Sequence, residues 1–298
     1  MTPLKVLFAA VCLSFAIFAA CAENFSFILI ADPHIDGNSD HETKLRKCVD
    51  WINDNKLDSK IEFVCVLGDI GWGEATSTAK SILDRLTVPY VPIIGDNEVQ
   101  SGCEKQFDTV FNEQYAILSR VFDNWSKAPT PVWNSQVNTN SYLQNFSFDC
   151  KGVHFVCLDF ASRVAGDESA ELNNYQKGTW PWFKNDVTNC TKTRKGNIVV
   201  LSHFAMFRGR RISEYTFSSK DMDKICRFIY NYRNYIGSSY GGHLHRDWTQ
   251  SVYYKFRRLY TARVVDTTWD DPPITMRKVT VTIESWRNTY SQENIVVE

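Results

Sequence analysis

Residues able to ligate a metal stand at the ends of apolar runs along this chain. "FILIADPH" closes on Asp32 and His34, "FVCVLGD" on Asp69, "VPIIGDNE" on Asp96, Asn97 and Glu98, and "VVLSHF" on His203. Further on, Gly241-Gly242-His243-Leu244-His245 carries two imidazoles at i and i+2. On an extended segment that spacing turns both rings the same way, and the glycine pair lets backbone approach a ligand closely. Taken singly each signal is weak. Asp-X-His arises by chance, Gly-Asp often only ends a strand, and a lone histidine after an apolar run is commonly a hydrogen-bonded core residue. The chain has six histidines and four of them fall at these places; His41 reads as surface and His154 as sheet packing. Carboxylate, imidazole and amide donors, with no cysteine among them, suit zinc, manganese or iron. Seven or eight donors are too many for one catalytic ion that keeps an open position. They suit two ions sharing a carboxylate.

Ligands at strand ends require a sheet whose carboxyl ends gather in one place. "NFSFILIADPH", "EFVCVLGDI" and "PYVPIIGDNE" are nearly continuous apolar runs, the pattern of buried parallel strands. Between them, "HETKLRKCVDWINDN" places Leu45, Cys48, Trp51 and Ile52 on one helical face, and "ATSTAKSILDRL" reads as a second helix. This half is therefore βαβαβ, continued by the helix "EKQFDTVFNEQYAILSRVF". The character then changes: "SYLQNFSFDCKGVHFVCLDF" alternates and pivots at Lys151-Gly152, a hairpin signal. "NIVVLSHF" returns as a buried strand and "SKDMDKICRFIYNYRN" as a helix. From Gln250 onward "SVYYKFRRLYTARVVD" and "ITMRKVTVTIES" read as strands broken at "DDPP". No repeat or linker divides the chain. The expectation is one α/β domain over residues 23–298, with a second, more antiparallel sheet face to face with the first and helices outside.

The N-terminal "MTPLKVLFAAVCLSFAIFAACAEN" has one lysine, an apolar run from Val6 to Ala20 and small residues ending Ala20-Cys21-Ala22. That is the order of a secretory signal peptide covering residues 1–22; the run is short of the ~20 residues of a spanning helix. A lipidated Cys21 is the lesser alternative. Sequons at Asn24, Asn124, Asn145 and Asn189 fit export as a glycoprotein. Nine cysteines, less Cys12 and Cys21 of the leader, leave seven; disulfides are permitted, but an odd number leaves one thiol over, and Cys65 inside its apolar strand is the candidate. The C-terminal "SQENIVVE" carries neither a hydrophobic tail nor a retrieval signal. The expectation is a secreted chain, extracellular or in the lumen of the secretory pathway, with no membrane span once the leader is removed. Net charge is −1, with no basic run that would mark a nucleic-acid partner. "KFRRLY" and "FRGRRIS" are short basic clusters, read as solvated surface.

"DPH", "GD", "GDNE", "SH" and "GHLH", in this order from Asp32 to His245, resemble the five blocks of the calcineurin-like metallophosphoesterases, the superfamily of purple acid phosphatases and many phosphodiesterases. The resemblance implies a two-sheet sandwich flanked by helices, the αββα arrangement already read from the pattern. It implies that Asp32, His34 and His245 hold one divalent ion and that Asp69 bridges to a second. His203, His243 and the third block would complete the second ion's set. The third block departs from the family's Gly-Asn-His-Glu/Asp, in which Asn ligates and His assists the leaving group. Aligned without a gap, Asp96 takes the place of the ligand and Asn97 that of the catalytic histidine. With the loop shifted by one residue, Asn97 itself ligates, which keeps the family's amide ligand; the expectation leans to Asn97.

The function implied is hydrolysis of phosphomonoesters or phosphodiesters, nucleotide and pyrophosphate bonds included, on a small phosphorylated substrate, by a hydroxide shared between two ions. Asn97 hydrogen-bonds but delivers no proton, which favours good leaving groups, with Asp36 or Glu98 as substitute acids. Trp72, just past Asp69, could stack on a base or phenol, although packing is the commoner use; Trp180 and Trp182 fall in loops or helix starts. The competing class is a metal-binding secreted protein, impaired in catalysis, that binds phosphate-containing ligands.

Overall fold

The computed structural model describes residues 23–209, 212, 215–266 and 274–298. The leader, the "DDPP" break and Arg210, Arg211 and Ser213 of the second basic cluster lie outside the described residues. The first half runs β1 (Glu23–Ile30), α1 (Ser39–Asn55), β2 (Ile61–Leu67), α2 (Ala75–Leu83), β3 (Tyr90–Ile93), the short α3 (Asp96–Gln100) and α4 (Glu104–Val121). Then come β4 (Asp123–Lys127), β5 (Val132–Asn134), β6 (Thr139–Ser141), β7 (Phe146–Cys150), β8 (Val153–Leu158), α5 (Thr179–Asn189), β9 (Ile198–Ser202) and α6 (Ser219–Tyr232). The chain ends with β10 (Ile236–Gly241), β11 (Trp248–Tyr254), β12 (Arg257–Val264), β13 (Ile274–Ile283) and β14 (Asn288–Val297).

Two large sheets form, one ordered β14-β13-β1-β2-β3 and the other β11-β12-β10-β9-β8-β7-β4, beside the small hairpin β5-β6. β1, β2 and β3 are parallel, as their unbroken apolar runs require. The C-terminal strands divide between the layers: β13 and β14 extend the first sheet antiparallel, while β12 joins β10 in parallel and β11 pairs back on β12. The second sheet is thus parallel at its centre and antiparallel only at its edges, so it is less antiparallel than the alternating sequence suggested. Both tight hairpins turn through residues of positive φ, Lys151 and Gly152 between β7 and β8, Lys255 and Phe256 between β11 and β12, as a turn matched to strand twist demands.

Side-chain alternation shows how the layers stack. Along β8 and β9, Phe155, Cys157, Val199 and Leu201 join one core, and Val156, Leu158, Ile198 and Val200 join another. The first core lies between the sheets: Phe27 of β1 meets Phe155 edge-on at 5.4 Å and Tyr240 at 6.0 Å, and Phe63 meets Phe155 at 5.0 Å. The second lies under α5 and α6, where Phe183, Val187, Ile225 and Ile229 cover the outer face of the second sheet. On α1 the inward stripe is Leu45, Cys48, Val49 and Ile52, with Trp51 half-buried at its edge. Helix, sheet, sheet, helix is the architecture of one domain, as the pattern predicted.

Three smaller expectations change. His41 is buried, its Nδ1 2.8 Å from His34 O and 3.0 Å from Asp36 Oδ1, so it props the loop after β1 rather than facing solvent. His154 lies in β8 but does more than pack, since its ring lies 2.6 Å from Asp149 and 2.9 Å from Asp186. Asn145 is fully buried, donating to Thr179 Oγ1 and accepting from the Asp159 N–H, so its sequon is closed to glycosylation in the folded chain, whereas Asn24, Asn124 and Asn189 are exposed. Cys48, Cys65, Cys103, Cys150, Cys157, Cys190 and Cys226 are all free thiols, and Cys65 is buried as expected. Among the described residues no helix is long and apolar enough to cross a membrane.

Candidate metal centre

The loops that leave β1, β2, β3, β9 and β10 converge at one end of the sandwich and are fastened to each other by backbone. His34 N–H donates to Asp69 O at 2.9 Å, Ile35 N–H to Ile70 O at 3.0 Å, and Gly242 N–H to His203 O at 2.9 Å. Asp32, His34, Asp69, His243 and His245 all have positive φ, between 46° and 69°. Five non-glycine residues in the left-handed region within one site is a strained arrangement, sustained because the flanking strands are buried. That conformation also corrects the sequence expectation for "GHLH": it is a loop, not an extended segment, and its two rings diverge.

The ligand atoms fall into two groups, each with all members within 4.8 Å of one another: Asp32, His34 and His245, then Asp96, His203 and His243. Asp69 lies between them, its Oδ2 3.4 Å from His34 Nε2 and 3.5 Å from His203 Nε2, and it forms a third such group with Asp32 and His203. The structure therefore brings together Asp32, His34, Asp69, His203, His243 and His245. Within "GDNE" it is Asp96 that faces the second pair of imidazoles, its Oδ1 2.7 Å from His203 Nε2 and 2.9 Å from His243 Nδ1. Asn97 turns toward the middle instead: its Nδ2 donates to Asp69 Oδ2 at 2.9 Å and its backbone N–H to Asp69 Oδ1 at 3.0 Å. Of the two alignments, the gap-free one, with Asp96 among the imidazoles, corresponds to these side-chain positions.

Glycines set how closely these loops approach. A Cβ on Gly95 would lie 2.1 Å from Asp69 Oδ1, one on Gly242 2.4 Å from Asp32 Oδ2, and one on Gly68 2.4 Å from His203 Nδ1. Glu98 supplies the fastening that composition alone did not reveal. Its carboxylate, fully buried, accepts N–H groups from Asp69, Ile70, Gly71 and Gly95 at 2.6–3.2 Å. Only the Gly95 bond was legible locally, as the carboxylate three residues into a helix reaching back to its start.

The donors suit cations. Burial pushes Asp32 up to about 6 and Glu98 up to about 8, against the pull of their hydrogen bonds and neighbouring histidines. Burial opposes a charge on His34 and His203, yet the surrounding carboxylates outweigh it and hold both above the ordinary imidazole value. His203 Nδ1 lies 2.7 Å from Leu67 O; a carbonyl can only accept, so Nδ1 carries hydrogen and Nε2 is the atom presented to the centre. His243 Nε2 is buried with no hydrogen-bond partner. No lysine or arginine pairs with Asp69 or Asp96 among the described residues. Buried carboxylates without a fixed cation are costly, and a buried imidazole nitrogen without a partner likewise has an open acceptor. Divalent ions satisfy both.

Neither proposed substitute acid is placed for the task. Asp36 is exposed, and its bonds from Asn38 N–H and His41, outweighing slight burial, hold it below the usual carboxylate range. Glu98 has its oxygens committed to backbone. Trp72 is half-buried and packs edge-on against the His34 ring at 5.6 Å. Tyr215, 40% exposed, stands 6.1 Å from the His243 ring on the other flank.

No protein-family model and no curated protein matches the sequence. Similarity is found among solved structures. TT1561 of Thermus thermophilus superposes with a TM-score of 0.51 at 7% identity, over 93% of this chain and 100% of that one. GAP50, described as the anchor in the inner membrane complex of Plasmodium, gives 0.44 at 10% identity, over 92% and 89%. A Staphylococcus aureus protein described as a "Putative 5'-Nucleotidase" gives 0.41 at 13% identity over 92% of this chain and 54% of that one, so this chain spans about half its length. At such identities the likeness is one of fold. The chain has an αββα fold, two main sheets flanked by helices, that gathers clustered Asp and His side chains able to hold metal ions.

Proposed function

We propose that this chain is a metal-dependent phosphoesterase with two divalent ions, zinc, manganese or iron, acting on a small phosphorylated substrate. The observation that carries the reading is the division of the donors into two groups with Asp69 between them. Asp32, His34 and His245 would hold one ion, Asp96, His203 and His243 the other, with Asp69 shared. Bound there, the ions would supply Lewis acidity toward phosphoryl oxygens and acidify a water. Glu98 and the glycines hold the loops in register, so the donors need little reorganisation on binding. Asn97, fixed by Asp69, keeps a second amide N–H with which to orient a phosphoryl or leaving oxygen, but it has no proton to transfer. Cleavage therefore depends on the leaving group's own acidity, which favours aryl, nucleotide or pyrophosphate esters over alkyl ones. Export through the leader-like N-terminus is part of the same proposal.

One observation favours a second reading, a metal-binding secreted protein impaired in turnover: the residue at the acid's position is an amide spent on Asp69. Elemental analysis of the purified chain, followed by hydrolysis of bis(p-nitrophenyl) phosphate by wild type and Asp69→Asn, separates the two. The enzyme reading expects bound metal and activity that Asp69→Asn reduces at least a hundredfold. Equal activity in both would overturn it, and bound metal without hydrolysis would establish the second reading.

A further inference from the structure

Away from the metal centre, β14 comes against β10 between the two layers, and an open cleft of about 360 Å³ lies there beside β12. Its lining includes Ser238, Arg258, Thr261, Arg263, Asn288 and Tyr290, and no acidic residue. Arg263 donates from Nη1 to Ser238 Oγ at 2.6 Å and lies over the Tyr240 ring, 5.7 Å from its centroid. Its Nε is buried with no hydrogen-bond partner. Arg258 donates to Thr261 Oγ1. Arg277, close enough to repel Arg263, is the one of the three arginines paired with a carboxylate among the described residues, that of Asp247. Burial together with the charges of Arg258 and Arg277 holds Arg263 below the ordinary guanidinium value.

Asn288 adds an independent sign. It is 6% exposed, and among the described residues its buried amide has only the Tyr290 hydroxyl as a polar side-chain neighbour, with no hydrogen bond of full geometry at either its nitrogen or its oxygen. Tyr290 Oη, its neighbour, gives its hydrogen to Gly196 O instead. An under-satisfied buried amide and the partly buried Arg263 guanidinium with no carboxylate are each costly, while the exposed Arg258 adds positive charge at the rim. The Ser238 hydroxyl and the Tyr240 ring engage Arg263 but leave its Nε open, and both Arg263 and Asn288 occupy strand positions that an apolar side chain could fill. A single group with several acceptor oxygens satisfies these donors at once. Because they arrive from three strands rather than in one plane, a tetrahedral oxyanion fits them better than a carboxylate does, and guanidinium binds such oxygens bidentately.

We propose that this cleft is a second, metal-independent site for a phosphate-type oxyanion, held by Arg258, Arg263, Ser238 and Asn288. The ligand chemistry is that of free phosphate or of a terminal phosphate on a headgroup. The site stands whether or not the metal centre is catalytic.

The test uses the full chain with EDTA present throughout, so the metal centre cannot contribute. Inorganic phosphate is titrated by calorimetry at constant ionic strength, and in a parallel arm vesicles of phosphatidylcholine with phosphatidic acid are co-sedimented with the protein. Arg263→Gln should weaken binding at least about tenfold, the loss of a charge-assisted bidentate contact, and Asn288→Ala several-fold. Lys105→Gln, an exposed cation elsewhere, should change nothing. Binding of free phosphate identifies a soluble ligand, and binding of vesicles alone identifies a headgroup; either one, lost in Arg263→Gln, supports the proposal. Binding unchanged in both cleft variants, or no saturable binding in either arm, overturns it. Circular dichroism checks the fold of each variant, and Asn288→Ala carries the test if Arg263→Gln does not fold.

Discussion

Asn97 gives Asp69 two hydrogen bonds, from its amide Nδ2 at 2.9 Å and from its backbone N–H at 3.0 Å. Asn97 thus braces the carboxylate that stands between the two Asp–His groups. This explains how an amide is accommodated there, and it has a chemical consequence.

On the proposed function, Asn97→His supplies a group able to donate a proton to a leaving oxygen, a contribution of ~10²–10⁴-fold where it is correctly positioned. Turnover of an alkyl phosphoester should rise by about two orders of magnitude, with an aryl phosphoester changing only a few-fold. Steady-state rates on the two substrates measure the difference. A wild type that already cleaves alkyl and aryl esters at similar rates contradicts the role assigned to the amide.

Gly95→Ala places a methyl 2.1 Å from Asp69 Oδ1 and 2.3 Å from its nitrogen. Neither neighbour can give way without moving the carboxylate proposed to be shared, so metal content by elemental analysis should fall below half of wild type. Overpacking should also cost about 1–3 kcal/mol in urea unfolding. Full metal content in this variant would show that Asp69 is not the shared ligand.

Glu98→Gln replaces an acceptor of four buried backbone N–H groups. The amide keeps one oxygen, and its NH₂ then meets other donors, whichever way it is turned. A stability loss of roughly 2–4 kcal/mol is expected in denaturant titrations. A change within experimental error would mean that the loops are held by their backbone bonds alone.

The His154 ring, 5% exposed, sits between Asp149 and Asp186. Burial opposes its charge, but the two carboxylates win and raise it from 6.5 to about 9. A folded value above the unfolded one gives stability that is fully present below about pH 6.5 and lost as pH rises through about 9. The stability gap between wild type and His154→Gln should therefore shrink by about 3 kcal/mol between pH 6 and pH 10. An unchanged gap across that range rules out a charged histidine.

Much of the fold could be read because its causes are local. The runs ending at Asp32, Asp69 and Asp96 are apolar because β1, β2 and β3 are covered on both faces, and the stripe of α1 needs only a period of 3.6. The gathering of Asp and His side chains was also legible, since no packing argument places four of six histidines at strand ends. The less legible features have non-local causes. His41 looked solvent-facing until the loop after β1 closed over it, and the Asn145 sequon looked usable until α5 packed against it.

Residue order and type determined that the chain builds an αββα sandwich with carboxylates and imidazoles at one end. Tertiary structure decided how those donors are shared. Backbone of positive φ at His243 and His245 sends imidazoles two residues apart to different groups, and the close passage of Gly95 past Asp69 sets Asp96 against the histidines and Asn97 against the centre. The arginine cleft arose in the same way, from strands distant in sequence and brought together by the packing of two sheets. Sequence spacing fixes which side chains a strand carries; the direction each one faces in a loop depends on dihedrals that neighbouring loops impose.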